Sequence, residues 1–163
     1  MASRKTRFTE KDYGYAEFEK AWEKKGEDHV KVGIVSGNNG EYEDGQSVAD
    51  IAAINEFGTE TIPPRPFMRQ TMELHGSSIE KFIQKELKKI WDGKQTRKFA
   101  LARLGEFVKN KMKSTIRNGS FAPNAASTQY AKTSKANRKK GKLKNRPLIN
   151  TGQLINSIDY EVE

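Results

Sequence analysis

The chain has 163 residues, a formal net charge of +9, 34% hydrophobic residues and no cysteine. That is apolar material for one modest core, and it excludes a disulfide framework or a thiolate metal centre. The opening MASRKTRFTEKDYGY lacks the apolar core of a signal peptide, and no run nears the roughly 20 apolar residues of a membrane span, so a single domain over 1–163, made in the cytosol and without a membrane partner, is expected.

The charge is unevenly placed. Residues 1–60 hold 8 Lys/Arg and 13 Asp/Glu, residues 61–106 hold 10 and 5, and residues 107–163 hold 12 and 3. Opposite ends of such a chain attract across an interface. The basic part can meet nucleic acid, or the acidic part of a neighbouring copy.

In chain order, Thr9 with Asp12 forms a capping box, and Phe8 with Tyr13 suits a hydrophobic staple. Tyr15, Phe18 and Trp22 follow at helical spacing, and Gly26 is a C-cap, which predicts a helix over 10–25 within an N-terminal helical segment, 1–28. Val30, Val32 and Ile34 alternate in a strand over 29–35. SGNNGEYEDGQ is a turn-rich loop. Ser47 with Asp50 caps a short helix over 48–57 that Gly58 closes.

Pro63, Pro64 and Pro66 then fix their own φ and push their neighbours toward extended geometry, a stiff strut. Pro66 suits a helix start. A helix over 66–91 follows, with Met68, Met72, Ile79, Phe82, Ile83, Leu87, Ile90 and Trp91 on one stripe and a bend expected at Gly76-Ser77-Ser78. A further helix over 95–117 carries Leu101, Leu104, Val108, Met112 and Ile116 and ends at Asn118-Gly119. The short turn at Asp92-Gly93 sets the two helices antiparallel. Residues 119–147 read as an extended basic loop too poor in apolar groups to order itself. Thr151 caps a one-turn helix over 152–156, and Ile158, Tyr160 and Val162 alternate in a closing strand that pairs with 29–35. The predicted fold class is α+β: a small antiparallel sheet packed on a long antiparallel helical hairpin, with a long basic loop.

Catalytic chemistry is hard to find. His29 and His75 lie far apart in sequence without carboxylates at ligand spacing, and zinc needs three or four ligands. The acidic loop around Glu41, Glu43 and Asp44 lacks the alternation and distal glutamate of a calcium loop. SGNNG is followed by no Gly-Lys-Ser/Thr, so it is a turn and not a phosphate loop. No catalytic, cofactor or metal site is expected, and no enzyme activity.

The strongest electrostatic feature is KTSKANRKKGKLKNR, with Lys132, Lys135, Arg138, Lys139, Lys140, Lys142, Lys144 and Arg146. Its bland reading is a solvated loop. Its functional readings are phosphate contact or docking on an acidic neighbour. Tyr130 is the only aromatic residue between Phe121 and Tyr160, too few for the stacking platforms of single-strand binders. Contact with a nucleic-acid backbone stays open, base-specific readout does not.

Two stretches carry a resemblance. VADIAAINEFGTETIPPRPFMR resembles the signature of a family of small neck and tail-completion proteins of tailed bacteriophages: an apolar helix ending in Asn55, Glu56, Phe57, Gly58 and Thr59, then a start at Arg65, Pro66 and Phe67. FAPNAASTQYAKTSKANRKKGKLKNRPLINTGQLINSIDYEV is similar to the C-terminal pattern of those proteins, over Pro147, Leu148, Ile149, Thr151, Gly152, Gln153, Leu154, Ser157 and Ile158. Asn150 stands where the family usually has Asp. VKVGIV sits where the family has a Val-Gly-Ile strand.

The resemblance implies a structural virion protein: a homo-oligomeric ring, sixfold or twelvefold, at the neck. Its partners would be the head connector and the tail terminator or tube. DNA would pass through the lumen without sequence specificity. Under that expectation, Asn55, Glu56, Phe57, Pro63, Pro64, Arg65, Pro66 and Phe67 are candidate interface residues, since a proline strut holds a surface at a fixed angle with little entropy to lose. The plainer alternative is an ordinary connection, with Phe57 and Phe67 in the core. The alternative function is a small basic nucleic-acid-binding protein.

Overall fold

A strand of alternating valines needs a partner, and it finds one at the other end of the chain. In a computed structural model that describes residues 28–43, 45–133, 146–149 and 151–163, β1 (Val30–Ile34) pairs antiparallel with β2 (Ile158–Val162), from Val30 opposite Val162 to Ile34 opposite Ile158. Two strands alone are marginal in water. The sheet is carried by α3 (Arg97–Asn118), which packs along both strands.

Gly105 of α3 makes that contact close. A β-carbon there would come within 2.6 Å of the Tyr160 ring and 2.8 Å of Val30 Cγ2, so the helix can lie on the sheet only where it has no side chain. Lys109, one turn on, sits 5.0 Å from the centre of the Tyr160 ring and pairs with Asp159 and Glu106.

The helices start where their caps predict. Ser47 Oγ accepts from the Asp50 N–H at 3.1 Å and opens α1 (Val48–Phe57). Thr96 Oγ1 accepts from the Phe99 N–H at 3.3 Å and opens α3, a cap the sequence reading passed over. Between them α2 (Phe67–Trp91) runs antiparallel to α3, with Phe82 and Phe107 stacked at 4.4 Å. The helix runs without interruption through Gly76-Ser77-Ser78. Nothing lies within 4 Å of a β-carbon built at Gly76.

The expectation of a structureless 119–147 needs correction. An eight-residue helix, α4 (Ala126–Thr133), occupies part of it. Alanines favour the helix, the Gln129 N–H reaches Ala125 O, and Gln129 Nε2 reaches Asn124 O at 2.6 Å. Upstream, Phe121 packs on the core. A short helix, α5 (Gln153–Ser157), leads directly into β2. It starts after Gly152, in the left-handed region at φ 85°, with Thr151 Oγ1 accepting from the Gln153 N–H at 3.2 Å. The predicted helix over 10–25 lies outside the described residues.

The core gathers at one end of the hairpin, where α1, the start of α2, the end of α3 and α5 meet. Phe67, Val48, Ile158 and Thr71 are fully enclosed, surrounded by Met112, Ile116, Ile149, Leu154 and Ile155. Among the described residues no helix is long and apolar enough to cross a membrane.

Candidate functional site

The connection from α1 to α2 holds the candidate interface residues, and its geometry follows from three turns. Gly58 ends α1 at φ 77°, with its N–H on Ile54 O. A β-carbon there would meet Ile62 O at 2.9 Å and Pro64 at 3.0 Å, so glycine is required by both backbone and space. Thr59 Oγ1 then accepts from the N–H groups of Thr61 and Ile62, a side-chain turn that reverses the chain. Pro66, at φ −75° and ψ 71°, is the centre of an inverse γ-turn, closed by the Phe67 N–H on Arg65 O at 2.8 Å.

These turns place the candidate residues on two sides. Glu56 is buried, and its carboxylate accepts from the N–H groups of Met68 at 2.8 Å and Arg69 at 3.1 Å. A negative group from α1 thereby caps α2, whose own first turn has no acid and whose N-cap proline offers no side-chain acceptor. Arg69 closes the loop, with Nε on Glu56 Oε1 and Nη2 on Glu56 O. Arg65 is also buried. Its guanidinium donates to Ala122 O at 2.8 Å, Pro123 O at 2.9 Å and Asn55 Oδ1 at 3.3 Å. Burial pulls its pKa below the usual guanidinium value, and three acceptors in fixed directions meet the charge. The Arg65 N–H reaches Asn55 O at 2.6 Å, and Phe67 is wholly enclosed.

Asn55, Glu56, Arg65 and Phe67 therefore act inside the subunit, as a clasp that joins α1, α2 and the segment after α3. The outer side is different. Phe57 is 72% exposed, and Ile62, Pro63 and Pro64 are exposed as well. Arg69 lies 5.8 Å from the Phe57 ring centre. The sequence reading treated all eight candidates as one surface. The signal for the division was an α2 start with no acid of its own, which needs a cap from elsewhere.

Next to the clasp, a cavity of about 240 Å³ is lined by Tyr42, Asn55, Asn124, Thr128, Thr151 and Gln153, with Leu148 and Ile149. Leu148 has φ 64°, the one non-glycine residue in the left-handed region among those described. Among the described residues its lining contains no carboxylate, imidazole or amine. No group of three His, Asp or Glu able to hold a metal occurs among the described residues.

Of the basic candidates, Arg146 is exposed, with Nη1 on Arg117 O at 3.2 Å. Lys132 belongs to α4. Lys135, Arg138, Lys139, Lys140, Lys142 and Lys144 lie outside the described residues. No family model matches the chain, and neither a curated protein nor a solved structure matches it.

Proposed function

We propose that the chain is a structural neck protein of a tailed bacteriophage, which assembles into a ring that completes the tail and joins it to the head. It performs no reaction. Its place is the virion, its partners are copies of itself, the head connector and the tail terminator or tube, and DNA crosses the lumen without being read.

The observation that carries this reading is the division of the 55–67 connection. Its inner side is closed by hydrogen bonds to buried polar groups. Its outer side presents Phe57, Ile62, Pro63 and Pro64 to solvent. Such construction fixes an apolar rim at a set angle, and exposed apolar rims mark interaction sites. A ring contact is heterologous, so the rim meets a different patch on the next copy. The resemblance of the same stretch to tail-completion proteins points the same way.

Sedimentation of the full chain over a range of salt, with and without duplex DNA, tests the proposal. Closed oligomers formed without DNA are expected. A monomer that binds DNA with a steep salt dependence would replace this reading with that of a small basic nucleic-acid-binding protein.

A further inference from the structure

Two exposed helix faces of opposite charge lie outside the core. The first is on α1. Asp50, Ala53 and Phe57 are exposed and recur at i, i+3 and i+7, a stripe about 10 Å long. Glu60 follows the stripe on the rim, and Glu41 and Glu43 precede it in the loop before Ser47. The sign of charge is uniform here: residues 32–64 hold six carboxylates and no Lys, Arg or His. Glu41, Glu43, Asp50 and Glu60 are exposed and form no ion pair with another described residue.

The second face is on α2. Leu74, Lys81, Lys85 and Lys88 are exposed and recur at i, i+7, i+11 and i+14, again one stripe. Leu74 is 59% exposed. Lys81 and Lys85 form no ion pair with another described residue, and Lys88 reaches Asp92 at 3.7 Å. Glu73, Glu80 and Glu86 lie about 90–130° round the helix from the centre of the stripe. The stripe is also on the side of α2 away from α1. At about 100° per residue, Lys85 lies about 160° from Arg69, which pairs with Glu56 of α1. One copy can therefore offer both faces at once.

We propose that the acidic α1 face of one copy docks antiparallel on the lysine stripe of α2 in the next copy. The inference rests on the ring reading above and names the patch that the rim meets. Charge and register both carry it. Carboxylates flank Phe57 on one face, and three lysines follow Leu74 on the other. Asp50 and Phe57 are seven residues apart, as are Leu74 and Lys81. Laid antiparallel, Asp50 meets Lys81 where Phe57 meets Leu74, and Glu41 and Glu43 extend toward Lys85 and Lys88. An apolar centre with a charged rim is the usual makeup of a protein contact. Because the two faces differ and lie on opposite sides, the contact repeats from copy to copy instead of closing as a twofold pair.

Sedimentation of the full chain tests this with two variants, each checked for fold by circular dichroism. One carries Ala53→Lys with Glu60→Lys, the other Lys81→Glu with Lys85→Glu, all at exposed positions. Each should associate at least about tenfold more weakly than wild type. A chain with all four substitutions should recover association, since its charges are exchanged between the faces. Lys94→Glu with Lys98→Glu, the same change of charge at the hairpin turn, should leave association as it is. A readout independent of charge mixes Phe57→Cys chains with Leu74→Cys chains; the protein has no cysteine of its own. Disulfides between unlike chains should form at least about tenfold faster than between like chains, and this decides the matter if a charge variant does not fold.

A wild type that oligomerises, with both charge variants unchanged, overturns this contact and leaves the ring reading standing. So does a loss that the four substitutions together do not restore, an equal loss in the Lys94–Lys98 variant, or equal disulfide rates. If reversing Lys81 and Lys85 abolishes DNA binding and leaves oligomers intact, the stripe is a phosphate surface and the contact is likewise overturned. A wild type that stays monomeric overturns both this contact and the ring.

Discussion

The two ends of the α2–α3 hairpin carry similar apolar stripes and have opposite fates. At the clasp end, Phe67 is 0% exposed and Ile116 2%, and the buried charges of Glu56 and Arg65 are tied by hydrogen bonds. At the turn end, Leu87 is about half exposed, and Phe99 lies open. What differs is the number of elements that reach each end. Among the described residues, α1, α5 and the segment after α3 converge on the clasp, whereas two helices and the Asp28–Arg97 pair make up the turn end. Amphipathic patterning marks which face can be buried; long-range partners decide how much of it is.

Removing residues 157–163 should break the comparison altogether. The deletion takes away β2 and the enclosed Ile158, and leaves β1 without its partner. Loss of a cooperative thermal melt is expected. A truncated protein that melts as the full chain does would show β2 to be dispensable.

Single substitutions sharpen the contrast. Phe67→Ala should cost about 3–5 kcal/mol, the range for an enclosed aromatic residue. Leu87→Ala on the same helix should cost much less, because its side chain is half in water before the change. Equal losses in denaturant titrations would contradict the distinction between the ends. A smaller loss, about 1–3 kcal/mol, is expected for Glu56→Ala, which leaves the N–H groups of Met68 and Arg69 without their acceptor.

The smallest effect belongs to the turn end and depends on pH. Burial pushes the Glu86 carboxyl up, but hydrogen bonds from Lys89 and Gln95 and the charge of Arg103 outweigh it and hold the group below the usual carboxylate value. A folded value lower than the unfolded one stabilises the protein above the ordinary carboxylate range, and this contribution fades as pH falls through the folded value. The wild type should therefore melt higher than Glu86→Gln at neutral pH, and the gap should close in acid. A gap that widens in acid would reverse the sign of the argument.

Much of the fold was legible because local signals agreed with tertiary need. Ser47 and Gly58 bounded α1, and the alternation at Val30–Ile34 and Ile158–Val162 identified two strands that pair with each other. Three features escaped. Thr96 as the cap of α3 was hidden among polar residues. α4 was hidden because its small residues carry no apolar stripe. The clasp was hidden because Arg65 finds its acceptors 57 and 58 positions away, in backbone carbonyls that have no sequence signature. Glu56 and Arg65 look like surface charges in a motif, and only the folded chain turns them inward.

The central claim is that the outer rim of the clasp is a contact between copies, held at a fixed angle by prolines that the monomer itself does not need. Pro63 and Pro64 are both exposed, and neither peptide bond is cis, so Pro63→Gly with Pro64→Gly should leave the fold in place while loosening the rim. The direct measurement is incorporation of this double variant into phage particles, made beside its far-ultraviolet circular dichroism. The account predicts an unchanged spectrum with reduced incorporation and tails that fail to join heads. Normal incorporation of a normally folded variant would contradict it.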